Sequence, residues 1–177
     1  MGRAVKKLST HGVKVKRDQW LREAVQAEES GSVVTSRAII RETMRFGMED
    51  HLEDPLTPPE SKEWVKVAKR VWTENAEACV AQNAYETARA LYFNAIKIYP
   101  AKKSLWFNAI KMEEDHGGRD NLTDILTRAK DSTKHVFFFL KLAKHLWKHL
   151  KNPEQTRAVL LEGLSDHPDS EEIVLAI

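Results

Sequence analysis

The chain has 177 residues, 42% hydrophobic and 31% charged, with 28 Lys and Arg against 26 Asp and Glu for a net charge of +2. This length suits one compact domain or a short repeat array, and so even a balance does not by itself announce a nucleic-acid binder. A single cysteine, Cys79, excludes an internal disulfide and a cysteine-based zinc site; no run approaches the ~18 apolar residues of a membrane span, and 7 Gly with 6 Pro exclude a low-complexity chain, so a soluble intracellular protein is expected.

Residues 1–16 form a basic segment in which Arg3, Lys6, Lys7, Lys14 and Lys16 lead into Arg17 without one acid, and they lack the apolar core of a secretory signal. From Trp20 onward a period organises the chain. Trp72 and Trp106 stand 34 residues apart, and further steps of 34 land on Leu140 and Val174. Trp20 precedes Trp72 by 52, as Arg37 precedes Arg89, which is one period carrying an insertion of 18. The insertion has two parts. Residues 46–60 are acidic, contain Pro55, Pro58 and Pro59, and read as a solvated loop. From Trp64 the apolar pattern resumes through Val67, Ala68, Val71 and Trp72, which lengthens the next helix toward its N-terminus by about two turns.

Later units read as helix pairs. Leu91, Ile125 and Val159, or Tyr92, Leu126 and Leu160, keep the step in the second helices, and Pro100 and Pro168 lie two steps apart with Lys134 between them. Gly117-Gly118 separates a helix ending near Asp115 from one starting near Arg119. Val136, Phe139, Leu140, Ala143, Leu146, Trp147 and Leu150 form one apolar helical face. Asn152-Pro153-Glu154-Gln155 follows, with a capping Asn, Pro at the first helical position and Gln at the capping-box position, opening a helix to about 167. Ser170 to Val174 begins a fifth unit, and a natural array ends on a polar cap, so a fragment of a longer repeat protein is expected. A single hairpin cannot bury its apolar face alone, so the expected fold is all-α, an α-solenoid with right-handed superhelical stacking over residues 17–177. Ala88, Ala95, Ala129 and Gly163 stand where facing helices approach closely, with the Trp residues and Tyr92 filling the gaps.

Few residues suggest a site. His145 and His149 have metal-gripping spacing, but Leu146 follows His145 where a zinc-hydrolase helix needs Glu, three lysines surround the pair, and no third ligand is indicated. Cys79 falls on an apolar helical face, and neither a nucleophile elbow nor a glycine-rich phosphate loop occurs, so no enzyme, cofactor or metal is expected. Lys141, Lys144, His145, Lys148 and Lys151 form a basic ridge away from the apolar face, and Lys97, Lys102 and Lys103 form a second group. Such a ridge suits acidic partner loops or RNA phosphates, or is a solvated helix surface. The aromatics sit at periodic core positions, so the stacking partners of single-strand RNA binding are missing. Arg37, Arg89 and Arg157 open the apolar runs of their helices and are read as pairing with acids of facing helices.

The 34-residue step with Trp, then Ala88, Tyr92, Ala95 and Pro100, resembles the tetratricopeptide class, but Asn75-Ala76 and Ala109-Ile110 stand where its Leu-Gly pair belongs. Trp106 followed by Glu113, with Ala88-Arg89-Ala90-Leu91-Tyr92 and Pro100, is closer to the HAT (half-a-TPR) repeat. The ordered series Arg17 to Trp20, Gly31 to Thr35, Glu77 to Ala84, Thr87 to Tyr92, Tyr99 to Trp106, His116-Gly117-Gly118 with Asn121-Leu122, and His167 to Ile173 resembles the pre-mRNA-processing factor six family. In this reading Trp20, Trp72, Trp106, Glu113, Arg89, Tyr92, Pro100 and Pro168 are the repeat signature. The resemblance implies a nuclear, non-catalytic scaffold that bridges spliceosomal tri-snRNP proteins, with at most indirect or weak contact to small nuclear RNA and no membrane contact. A cut solenoid also exposes an apolar end, which allows self-association. The alternative is a direct RNA-binding module of another HAT-type complex, acting through the basic ridge. The family tends to place Trp where this chain has Leu140 and Val174.

Overall fold

The computed structural model describes residues 16–59 and 61–177; Arg3, Lys6, Lys7 and Lys14 of the basic segment lie outside them. Among the described residues every regular element is helical, and none is long and apolar enough to cross a membrane. The described helices fall into two compact units, one up to Tyr99 and one from Pro100 on.

The first unit holds α1 (Arg17–Glu29), α2 (Val33–Thr43), a short 3-10 turn at Glu49–His51, α3 (Lys62–Ala81) and α4 (Tyr85–Ile98). α1 packs on α2, α3 on α4, and α2 on α4. Both hairpins close in the same way. At the end of α1 the Ser32 N–H donates to Ala27 O and the Gly31 N–H to Glu28 O, with Gly31 at φ +83°. At the end of α3 the Ala84 N–H donates to Cys79 O and the Asn83 N–H to Val80 O, with Asn83 at φ 61°. These are two Schellman closures, using the residues that tolerate left-handed backbone best. Gly31 and Asn83 are 52 residues apart, the same offset as Trp20 to Trp72, so the repeat is written into backbone dihedrals as well as side chains.

The added turns of α3 do more than extend it. They bring buried Trp64 edge-on to Trp72 at 5.9 Å, while Tyr99 stacks on Trp72 at 5.9 Å. The Trp72 Nε1–H donates to Met44 O at 3.0 Å, and buried Arg17 donates to the same carbonyl at 2.8 Å. Burial pushes the Arg17 guanidinium down to about 10 against the opposing charge of Asp18. The loop after α2 departs from the solvated reading at one point: Met48 is only 1% exposed and belongs to the core. Trp20 departs from its role as an equivalent core residue, because it is half-buried while Trp72 and Trp106 are fully enclosed. The start of α4 has no side-chain cap of its own. Glu28 of α1 supplies one, accepting from the N–H groups of Glu86 (2.9 Å) and Thr87 (2.7 Å) and from the Thr87 hydroxyl (2.6 Å). Glu86 in turn pairs with Arg89 of its own helix and with Arg37, which reaches it from α2.

The second unit holds α5 (Lys103–His116), α6 (Arg119–Thr133), α7 (Val136–His145), a π turn at Leu146–Leu150, α8 (Pro153–Asp166) and the short α9 (Glu171–Val174). Successive helices from α5 to α8 pack as neighbours. The Trp106 Nε1–H donates to Pro100 O at 2.7 Å, which gives the signature Trp and Pro of this unit a shared role. Gly117 fits against buried Glu113: a Cβ there would lie 2.8 Å from the Glu113 Cα, so no side chain is accommodated. A Cβ at Gly163 would meet the Phe139 ring at 3.0 Å and Ile173 at 3.1 Å, as expected of a close-approach position. The Asn152 side chain accepts from the Gln155 N–H at 3.0 Å with Pro153 at the first turn, the cap read from sequence. Lys151, 34 residues beyond Gly117, turns left-handed at φ 48°, whereas Gly117 itself is extended at φ -93°. The buried Lys130 of α6 reaches both Glu162 oxygens of α8 at 2.6 and 2.7 Å and lies 5.3 Å from the centre of the Phe139 ring.

One sequence expectation fails here. The apolar run from Val136 does not continue as a single helical face to Leu150. At Leu146 the helix widens into the π turn, whose larger number of residues per turn rotates later side chains off the 3.6 period. Trp147 is thereby 62% exposed, not buried with Leu146.

Candidate protein-interaction groove

α5, the glycine turn after it, α6 and α7 enclose a groove of about 760 Å³ within the second unit, inside the usual size range of ligand clefts. The α6–α7 packing supplies an apolar floor of Leu122, Leu126, Leu140 and Phe137. Phe137 meets Phe107 of α5 at 4.8 Å, ring edge to face, and both rings stay partly exposed.

The rim is basic. Four of the five ridge residues, Lys141, Lys144, His145 and Lys148, line the groove, with Arg119 and His149; Lys151 does not. Their environments differ. Lys141 pairs with Glu114 at 2.9 Å and stands 5.5 Å from the Phe137 ring centre. Lys144 and Lys148 are exposed and make no ion pair with any described residue. Arg119 reaches His149 O at 3.5 Å.

His145 requires a correction. It is no member of an exposed ridge: only 5% of it is accessible, because α6 covers it. The Thr123 hydroxyl donates to Arg119 O at 2.8 Å, so its remaining contact, 2.9 Å to His145 Nε2, is accepted from the ring N–H. Burial pushes the imidazole pKa down, and neighbouring His149 adds to this, so His145 is a neutral donor holding α7 to α6. The His145 and His149 rings are 5.3 Å apart, but no group of three or more His, Cys, Asp or Glu among the described residues is placed to hold a metal. Cys79 is 1% exposed, and burial, aided by the charge of Glu28, pushes its thiol up to about 12, so it keeps its proton at neutral pH.

Sequence reasoning missed Arg119 and the Phe107–Phe137 pair; Arg119 and Phe137 line the groove, and Phe107 packs against Phe137 from α5. The only prior signal was their place beside the glycine break and the apolar run. A second groove, about 600 Å³, lies between α7, α8 and residues 176–177, with exposed Trp147 and Arg157 on its walls.

No family model matches the chain. Over 100 residues, 56% of its length, it is 36% identical to Pre-mRNA-processing factor 6 of Homo sapiens, with the same figures for that of Pongo abelii. Over 132 residues, 75% of its length, it is 29% identical to Pre-mRNA-splicing factor prp1 of Schizosaccharomyces pombe. The chain is thus similar, over part of its length, to members of the pre-mRNA-processing factor 6 family. It spans 9% of the length of the first two relatives and 13% of the third. The consecutively packed helix pairs are those expected of an all-α repeat solenoid.

Proposed function

We propose that this chain is a segment of a non-catalytic protein-interaction scaffold in nuclear pre-mRNA splicing, and that it bridges proteins of the tri-snRNP particle. The similarity to Pre-mRNA-processing factor 6 and to the splicing factor prp1 carries this reading. The groove supports it: an apolar floor beneath a charged rim suits recognition of a polypeptide, and area accumulates along successive hairpins. The one thiol, Cys79, is buried and keeps its proton.

The test is capture from nuclear extract on the immobilised chain, with bound proteins and small nuclear RNAs identified before and after nuclease and high-salt washing. Tri-snRNP proteins retained after both treatments are the expected result. Retention of RNA alone, lost steeply with salt, contradicts bridging and favours phosphate-driven binding. One observation favours that second reading: Trp147 is exposed close to Lys144, Lys148 and Lys151 in the chain, supplying the aromatic surface the sequence had assigned to the core.

A further inference from the structure

We infer that the groove between α5, α6 and α7 is the docking site for an acidic peptide segment with apolar anchors, carried by a partner protein. The inference rests on the scaffold reading and names the chemistry of what one surface of that scaffold holds. Charge complementarity is the first argument. Of the rim cations, Lys141 is already engaged by Glu114, whereas Lys144 and Lys148, one turn apart along α7 and its π continuation, have no carboxylate partner among the described residues. Two unpaired ammonium groups beside an apolar floor leave a site short of negative charge. The floor is the second argument. Leu122 and Leu140 are only partly covered, so aliphatic anchors on the occupant would remove apolar surface from water.

The same groove is poorly built for RNA. Phe137 meets Phe107 edge to face and has the Lys141 ammonium 5.5 Å from its ring centre, which leaves little open face for a base. A second copy of this chain is the other occupant with matching chemistry, because its loop bears Glu53 and Asp54 next to Leu56, which is 88% exposed. That possibility is an arm of the test.

The experiment is fluorescence anisotropy on the 177-residue chain with a labelled short peptide of alternating Glu and Leu. The same peptide with Lys for Glu and an oligouridylate serve as competitors. The acidic peptide should bind and the basic one should not. Lys144→Glu/Lys148→Glu should weaken binding roughly tenfold or more, with an unchanged circular dichroism melt because both side chains are exposed. Leu122→Ala should weaken binding without altering its salt dependence, and Lys111→Glu, exposed on α5 outside the groove lining, should leave it unchanged. The inference is overturned if the acidic peptide does not bind, or binds the lysine double variant equally well. Competition by oligouridylate that needs the same lysines would reassign the groove to RNA. Self-association in sedimentation that is abolished by Lys144→Glu/Lys148→Glu and by Leu56→Ala would reassign it to a second copy. Failure of the peptide with continued capture of splicing proteins removes the groove assignment alone; peptide binding with no splicing protein captured removes the scaffold reading alone.

Discussion

Removing the Glu28 carboxylate tests whether α1 holds the start of α4 by capping it from outside. The carboxylate accepts two backbone N–H groups and one hydroxyl, all within 2.9 Å. Loss of a helix cap costs about 0.5–2 kcal/mol, and each hydrogen bond to a charged group contributes about 1.5–3 kcal/mol. Glu28 is half-buried, so water partly re-solvates the released donors. Glu28→Ala should therefore destabilise the chain by about 2 kcal/mol, and Glu28→Gln, which keeps one accepting oxygen, by about half as much. The assay is urea unfolding followed by tryptophan fluorescence, since Trp72 lies in the core of the same unit. A double-mutant cycle with Thr87→Val isolates the hydroxyl contact, for which a coupling of about 0.5–1.5 kcal/mol is expected. A Glu28→Ala chain within about 0.5 kcal/mol of the parent, or strict additivity with Thr87→Val, would refute the capping argument.

The tryptophans should not be equivalent: Trp106→Ala should cost about 3–5 kcal/mol, whereas half-buried Trp20→Ala should cost clearly less, by the same urea titration. Gly163→Val drives a branched side chain into Phe139 and Ile173 and should lower stability by about 1–3 kcal/mol; a thermal melt equal to the parent's would contradict the close approach. Stability should also fall in mild acid. His135 caps α7 by accepting the Phe137 N–H at Nδ1, which requires a neutral ring, and burial with Lys103 and His167 nearby pushes its pKa down despite Glu172. His145 is depressed as well. For a histidine with a depressed folded pKa the unfolded chain takes up the proton first. This contribution is therefore intact above the unfolded value of about 6.5 and is lost as pH falls toward the lower folded value. His135→Asn, which can still cap but does not titrate, should flatten this slope in urea midpoints measured across that window.

Much of the fold was legible because the repeat leaves marks at several levels. The step of 52 between Trp20 and Trp72 reappears between Gly31 and Asn83 in matching helix closures, and the lengthened α3 follows from apolar spacing after Trp64. The misses have local physical causes. Trp147 was read as core because its spacing fits a 3.6 period, and spacing cannot reveal that the turn widens at Leu146. His145 was read as ridge because a periodicity argument sees one helix at a time; its burial depends on Thr123 across the hairpin. Glu28 looks like an ordinary surface acid near a helix end until its partners, 58 and 59 residues away, are seen beside it. The lysines of the groove were found from sequence, but not which of them lack partners, since Glu114 claims Lys141 from a different helix.

Bridging requires two partners on the chain at once, so the most direct test is sequential capture. The chain is loaded in nuclear extract, recovered through its own tag after nuclease treatment, and recovered again through one of the splicing proteins it has bound. A second, different splicing protein in that final eluate, retained in high salt, is the predicted result. Partners that exclude one another, or a second protein that disappears with nuclease, would contradict a protein-bridging scaffold.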